Sequence, residues 1–108
     1  MSDDSLRNLN EVDRLIHEPA RLAITSILYA VEEADFLYLK RELALTKGNL
    51  SSHLIKLETA GYVNIEKTIV DKRTRTVCTL TSTGKQVFEK YLRQMEKVMQ
   101  FTKGGLQK

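Results

Sequence analysis

Apolar residues recur at Leu6, Leu9, Val12 and Ile16, and a spacing of three to four puts them in one stripe on a helix predicted over 3–16. His17 and Glu18 break the pattern, and Pro19 suits the first position of a second helix, where an N–H would be unpaired anyway. That helix carries Leu22, Ile24, Ile27, Leu28 and Val31. It is apolar on more than one side and so belongs in a core. Asp35 is placed to cap a third helix bearing Phe36, Leu39 and Leu43, and Thr46 to cap a fourth after a break near Leu45. On the fourth helix, at 100° per residue, Leu54 and Leu57 fall within about 40° of Leu50 and form the buried stripe. Gly48, Ser52 and Thr59 point the opposite way, Asn49 and Lys56 lie to one side, and Ile55 is the apolar exception. Gly61 ends this helix as a left-handed cap.

The pattern then changes period. Val63, Ile65, Ile69 and Val70 mark a strand over 62–70. Asp71-Lys72-Arg73-Thr74 reads as a charged turn, and 76–81 as the returning strand. Two strands alone are marginal in water, so this hairpin must pack on the helices. Thr81 can cap a last helix that runs to about Lys103, with Gly104-Gly105 as its stop. Its apolar positions are Val87, Phe88, Tyr91, Leu92, Met95, Val98 and Met99, among them a heptad-like ladder at 88, 92, 95 and 99. The fold class predicted is mainly α with a small β-hairpin, an α+β arrangement with two or three strands.

Length and composition narrow the function. A chain of 108 residues suits a single domain over 1–108. No apolar stretch approaches the roughly 20 residues that span a bilayer. The polar start and the single cysteine, Cys78, point to a cytoplasmic protein. The net charge of +3 decides little, but its distribution does: residues 1–46 hold five Lys/Arg against nine Asp/Glu, and residues 47–108 hold twelve against five. A polyanion would meet the second part. No paired carboxylates in a recognisable motif, activated Ser or Cys, glycine-rich phosphate loop or metal-ligand cluster can be found, so neither an enzyme nor a cofactor is predicted. Cys78 should face inward with Leu80, because strand side chains alternate. A lone cysteine argues against a metal site.

Where two helices are joined by a short turn, the second can enter the major groove of DNA. Here that helix presents side chains with the donors and acceptors that base edges require. Asn can pair in a bidentate way with adenine, Ser with several bases, and Lys with guanine or a phosphate. Asn49, Ser52 and Lys56 are the first candidates for base contact, with Lys47 and Ser51 at the margin and Gly48 allowing close approach. Lys72, Arg73 and Arg75 at the hairpin tip are either a solvated turn or contacts to phosphate or the minor groove. Arg21 and Thr46 are candidate phosphate contacts, though an internal ion pair suits Arg21 as well. His53 lies at the edge of the buried stripe, where it either packs on the preceding helix or touches DNA.

The run Pro19-Ala20-Arg21-Leu22-Ala23-Ile24, the block from Leu45 to Leu54, Leu57-Glu58-Thr59-Ala60-Gly61-Tyr62-Val63, and Thr76 with Leu80-Thr81-Ser82-Thr83-Gly84 come in an order and spacing that resemble winged helix-turn-helix regulators of the MarR and ArsR groups. The resemblance implies a recognition helix at about 46–60, a wing at about 70–75, a homodimer built from terminal helices, and an operator in double-stranded DNA with two half-sites. The predicted function is a sequence-specific transcriptional regulator, acting as a repressor. The alternative is a winged-helix module for protein–protein contacts. The turn at 71–74 lacks the glycine common in wings, and the short chain leaves little room for an effector pocket, so no ligand is predicted. A winged-helix unit spans 19–81. Segments 1–17 and 82–103 extend past it, and their apolar stripe needs another surface, most economically a two-fold mate. The expected interface is Leu6, Leu9, Val12, Ile16, Phe88, Tyr91, Leu92, Met95, Val98 and Met99.

Overall fold

The computed structural model describes residues 6–105; the parts of the first predicted helix at 3–5 and of the tail at 106–108 lie outside the described residues. The elements follow in the order 3-10 helix Arg7–Glu11, α1 Pro19–Val31, β1 Glu33–Asp35, α2 Phe36–Leu43, α3 Lys47–Thr59, β2 Val63–Val70, β3 Arg73–Leu80 and α4 Ser82–Gln100, with a π-helical turn at Phe101–Gly105. The three strands form one antiparallel sheet in the order β1-β3-β2.

The predicted caps form. The Asp35 carboxylate accepts from the Tyr38 N–H at 2.7 Å, and the Thr46 hydroxyl accepts from the Asn49 N–H at 3.0 Å. Gly61 sits at φ 84 after α3. Such bonds satisfy helix-end donors that otherwise need water. The main core draws on six elements: Ile24 and Leu28 from α1, Ala34 from β1, Leu39 from α2, Leu50, Leu54 and Leu57 from α3, Val63 from β2, and Cys78 and Leu80 from β3. Burial pushes the Cys78 thiol up to about 11, with the charges of Asp35 and Glu58 adding to the shift.

The N-terminal segment departs from expectation. In place of one α-helix up to Ile16, it forms a five-residue 3-10 helix and then turns. The Asp13 carboxylate accepts the Ile16 N–H at 3.0 Å and the Tyr62 hydroxyl at 2.5 Å. A short acidic side chain that captures nearby backbone competes with helix formation. The turn drives Ile16 to 0 % exposure beside Phe88 and Tyr91, each 2 % exposed. These three therefore line an inner core of the same chain, which corrects their assignment to a surface for a second copy. Tyr62 packs on this cluster, and burial followed by the bond to Asp13 pushes its hydroxyl up to about 12.

One close approach locks α4 to the hairpin base. A Cβ on Gly84 would lie 2.1 Å from the Tyr62 carbonyl oxygen, so only glycine fits. Around it the Thr81 N–H donates to that same oxygen at 3.0 Å, and the Thr81 hydroxyl donates to the Gly61 carbonyl at 2.6 Å. Beyond Gln94, whose amide reaches the Asn8 carbonyl at 3.4 Å, no described residue of α4 is fully buried. Leu92 and Met99 are 42 % and 55 % exposed and Leu6 is 39 % exposed, whereas Leu9, Val12, Met95 and Val98 are half-buried.

Candidate nucleic-acid interface

The site begins with the connection between α2 and α3. Ala44 takes a left-handed conformation at φ 53, and the Leu45 N–H returns to the Lys40 carbonyl at 3.2 Å, so the chain reverses within three residues. An alanine pays a steric penalty there that glycine would not. With Leu50, Leu54 and Leu57 turned into the core, α3 is held from below and its other side is left free. Lys47, Gly48, Asn49, Ser52 and Lys56 are exposed, and Ser51 is half-buried. Nothing lies within 4 Å of a Cβ built on Gly48, so the protein's own packing does not require glycine at that position. Thr46 is exposed, and its hydroxyl still has a proton to donate while its oxygen caps the helix.

The hairpin stands beside this face. Val70 pairs with Arg73 across a two-residue turn, Asp71 at φ 51 and Lys72 at φ 65. Positive φ at both positions is the signature of the turn whose twist matches a β-hairpin, here formed without glycine. Lys72 and Arg73 are exposed at the tip. Arg75 is not at the tip. It pairs in register with Thr68, and its Nε lies 3.4 Å from Asp35 Oδ2, tying the hairpin to the start of α2.

Between α3 and the hairpin runs a groove of about 550 Å³, whose lining includes Phe36, Lys47, Ser51, Ile55, Ile65 and Lys67. A smaller hollow of about 270 Å³ next to it takes in Lys40, Lys47 and Arg75. Sequence reasoning missed Lys40 and Lys67 as cations of this surface. Lys67 was within reach of it: two residues after Ile65 and four after the buried Val63, it shares their side of the strand.

Arg21 and His53 lie on the other flank of α3, turned inward. Arg21 Nε donates to the Leu15 carbonyl at 2.6 Å, and its Nη1 donates to His53 Nδ1 at 3.0 Å and lies 3.9 Å from Glu18 Oε1. Their side chains are only 12 % and 20 % exposed. This corrects the expectation of a phosphate contact for Arg21, and it turns His53 inward onto Arg21 and Glu18 at the start of α1, whereas the packing expected for it was on α2, the helix before α3. Burial alone would raise the Glu18 carboxyl, but the backbone N–H groups of Arg21 and Ala20, with the Arg21 guanidinium, outweigh it and hold the group below its ordinary value. Among the described residues, no three His, Cys, Asp or Glu side chains converge as a metal site. No described helix is long and apolar enough to cross a membrane.

A helix pair with a free polar face and an adjoining two-strand projection is the geometry in question, and residues 20–99 match the model of a family described as winged helix DNA-binding domain. The chain belongs to that family. An uncharacterized protein of Methanocaldococcus jannaschii, MJ0432, is 37 % identical over 79 residues, which is 73 % of this chain and 86 % of the relative. Among solved structures, the winged helix chain is similar to a transcriptional regulator homologue from Pyrococcus horikoshii, with a TM-score of 0.82, 33 % identity, and coverage of 87 % of this chain and 95 % of that one. A MarR-family regulator from Silicibacter pomeroyi shares the fold at a TM-score of 0.65 and 24 % identity, over 96 % of this chain and 68 % of its own. The expected winged helix-turn-helix is therefore present, with α2, α3 and the β2–β3 hairpin as its parts, and its fold is the one that the MarR-family structure also has. Family and fold point to a DNA-binding regulator, which is not a class of enzyme.

Proposed function

We propose that the protein is a sequence-specific repressor that binds double-stranded DNA as a homodimer. The observation that carries this reading is the exposed strip Asn49, Ser52 and Lys56 on α3, flanked by Lys47 and set beside a hairpin tipped with Lys72 and Arg73. On this reading Asn49 and Ser52 contact base edges and Gly48 lets α3 lie close to them. Lys47, Lys56, Thr46, Lys72 and Arg73 hold phosphates, and Ser51 and Arg75 sit at the margin. Residues 1–108 act as one unit, with 19–81 as the reading head. The dimer interface is a reduced version of the one expected, built on Leu6, Leu92 and Met99 with the half-buried Leu9, Val12, Met95 and Val98 around them; the exposure of Leu92 and Met99 on α4 and of Leu6 in the N-terminal segment supports it. No catalytic role, cofactor or effector is assigned. On this reading the protein acts in the cytoplasm.

Binding to duplex DNA at a series of salt concentrations tests the reading. If a dimer neutralises on the order of eight phosphates, log affinity should fall against log salt with a slope of about −7. Lys56→Glu combined with Arg73→Glu should abolish binding without unfolding the chain, since both side chains are exposed. A slope near zero would instead favour a module for protein contacts, and full binding by the double variant would place the DNA site somewhere other than α3 and the hairpin tip.

A further inference from the structure

We propose that Ile55 reads the C5-methyl group of a thymine, which makes it a specificity-determining residue of the interface; the inference rests on the DNA-binding reading above. Ile55 is 56 % exposed on α3. It is not needed for packing, because Leu50, Leu54 and Leu57 already complete the buried stripe at 0 %, 2 % and 0 % exposure. Five residues on from Leu50, it points about 140° away from that stripe. Its neighbours on the helix surface are Ser51, Ser52, Glu58 and Thr59, three of them small, so its branched side chain stands out from the Ser51–Ser52–Thr59 side of the face. A β-branched residue is also a poorer helix former than the Lys, Gln or Glu that would serve an exposed position equally well.

The major-groove edges of the base pairs present donors and acceptors at every position, and one apolar group, the thymine methyl. An apolar side chain directed at that surface has a single chemical complement there. The surroundings favour this depth of approach. Lys47 and Lys67, together with one carboxylate, Glu58, line the same groove as Ile55, and Lys56 adjoins Ile55 in sequence, so cations outnumber acids there. Cations on either side suit the phosphates that border a groove, while Ile55 stands between them. Ser52 and Ile55 are separated by a rise of about 4.5 Å along the helix, against about 3.4 Å per base pair, so they fall over neighbouring pairs. The inferred half-site carries a thymine next to the pair that Ser52 contacts.

The test uses the full chain and a duplex selected by it from a random-sequence pool, with each thymine replaced in turn by deoxyuridine, which lacks only the methyl. For the unaltered protein, one replacement per half-site should weaken binding about three- to fivefold, the loss expected for one buried methyl-sized group. Ile55→Ala should bind the thymine duplex more weakly by a similar factor and respond no further to that replacement, while Ile55→Val keeps most of the response. Melting temperatures of the variants should match the parent's, because the side chain is exposed. Insensitivity of the unaltered protein to every replacement, or an undiminished response in Ile55→Ala, overturns the inference and leaves DNA binding standing. Failure to enrich or bind any duplex overturns the DNA reading and this inference with it.

Discussion

The cluster around Ile24, Leu28, Leu39, Leu50, Leu57 and Cys78, each 0 % exposed, closes within a single chain, whereas the smaller cluster of Ile16, Phe88 and Tyr91, itself buried, is continued along α4 by exposed apolar groups such as Leu92 and Met99. The first gathers side chains from six elements around the buried stripe of α3, so the helix proposed to read DNA is held by the best-sealed part of the protein. The second is built from the turn before α1, Leu22 of α1, Tyr62 just ahead of β2, and the first two-thirds of α4. The contrast teaches that positioning of the recognition face is a property of one chain. Completion of the terminal layer, under the dimer reading, is a property of two.

The sharpest way to separate the two regions is to damage each. Leu50→Ala should destabilise the chain by about 3 kcal/mol, the usual loss for a fully buried leucine, and urea unfolding should show that loss at every protein concentration. Gly84→Ala comes next, at roughly 2 kcal/mol, because the new methyl meets the Tyr62 carbonyl and must push α4 off the hairpin base. Gly48→Ala, with open space around it, should instead leave stability unchanged or raise it by up to about 1 kcal/mol.

Alkali probes both regions together. Cys78 belongs to the closed core and Tyr62 joins the two clusters; their protons are held to about 11 and about 12 in the folded chain, against ordinary values of 9.0 and 10.0. The unfolded chain gives up these protons first, so the stability they contribute is fully present below about pH 9 and is lost as pH rises through 11 and then 12. Denaturation midpoints should be flat up to pH 9 and fall above it. Cys78→Val and Tyr62→Phe should each remove part of that fall, at about 1.4 kcal/mol per pH unit of separation. The smallest effect on the folded chain is expected from Leu92→Asp with Met99→Asp, within about 0.5 kcal/mol for exposed positions. Sedimentation should nonetheless show that this variant loses self-association. If the parent chain sediments as a monomer at all concentrations, the terminal layer is complete by itself and the contrast fails.

Much of the site was legible beforehand. Leucines at 50, 54 and 57 mark one side of a helix, and the polar residues between them must occupy the other. Asp35 and Thr46 announce helix starts because their side chains do chemically what water would otherwise do at a helix end. What misled was reach. A basic residue at 75 reads as part of a charged tip, but the hairpin turns at 71–72 and leaves Arg75 opposite Thr68, within range of Asp35. Arg21 near a helix start reads as an anion site, yet its guanidinium is taken up by Leu15 and His53, residues 6 and 32 positions away. The stripe at Leu6, Leu9, Val12 and Ile16 fits a helix, but periodicity does not register that Asp13 can bind the backbone and Tyr62 at once.

Local chemistry written along the chain thus determined the helix starts, the period-two hairpin, the buried stripe of α3 and the polar face opposite it, since each depends on neighbours within a few residues. Tertiary structure alone decided which cations stay free and which are consumed by carboxylates and carbonyls distant in sequence. It also decided that Ile16, Phe88 and Tyr91 turn inward while Leu92 and Met99 do not, and that Gly84 must have no side chain. Those outcomes depend on which surfaces meet when the elements pack, a relation between distant segments that no local pattern contains.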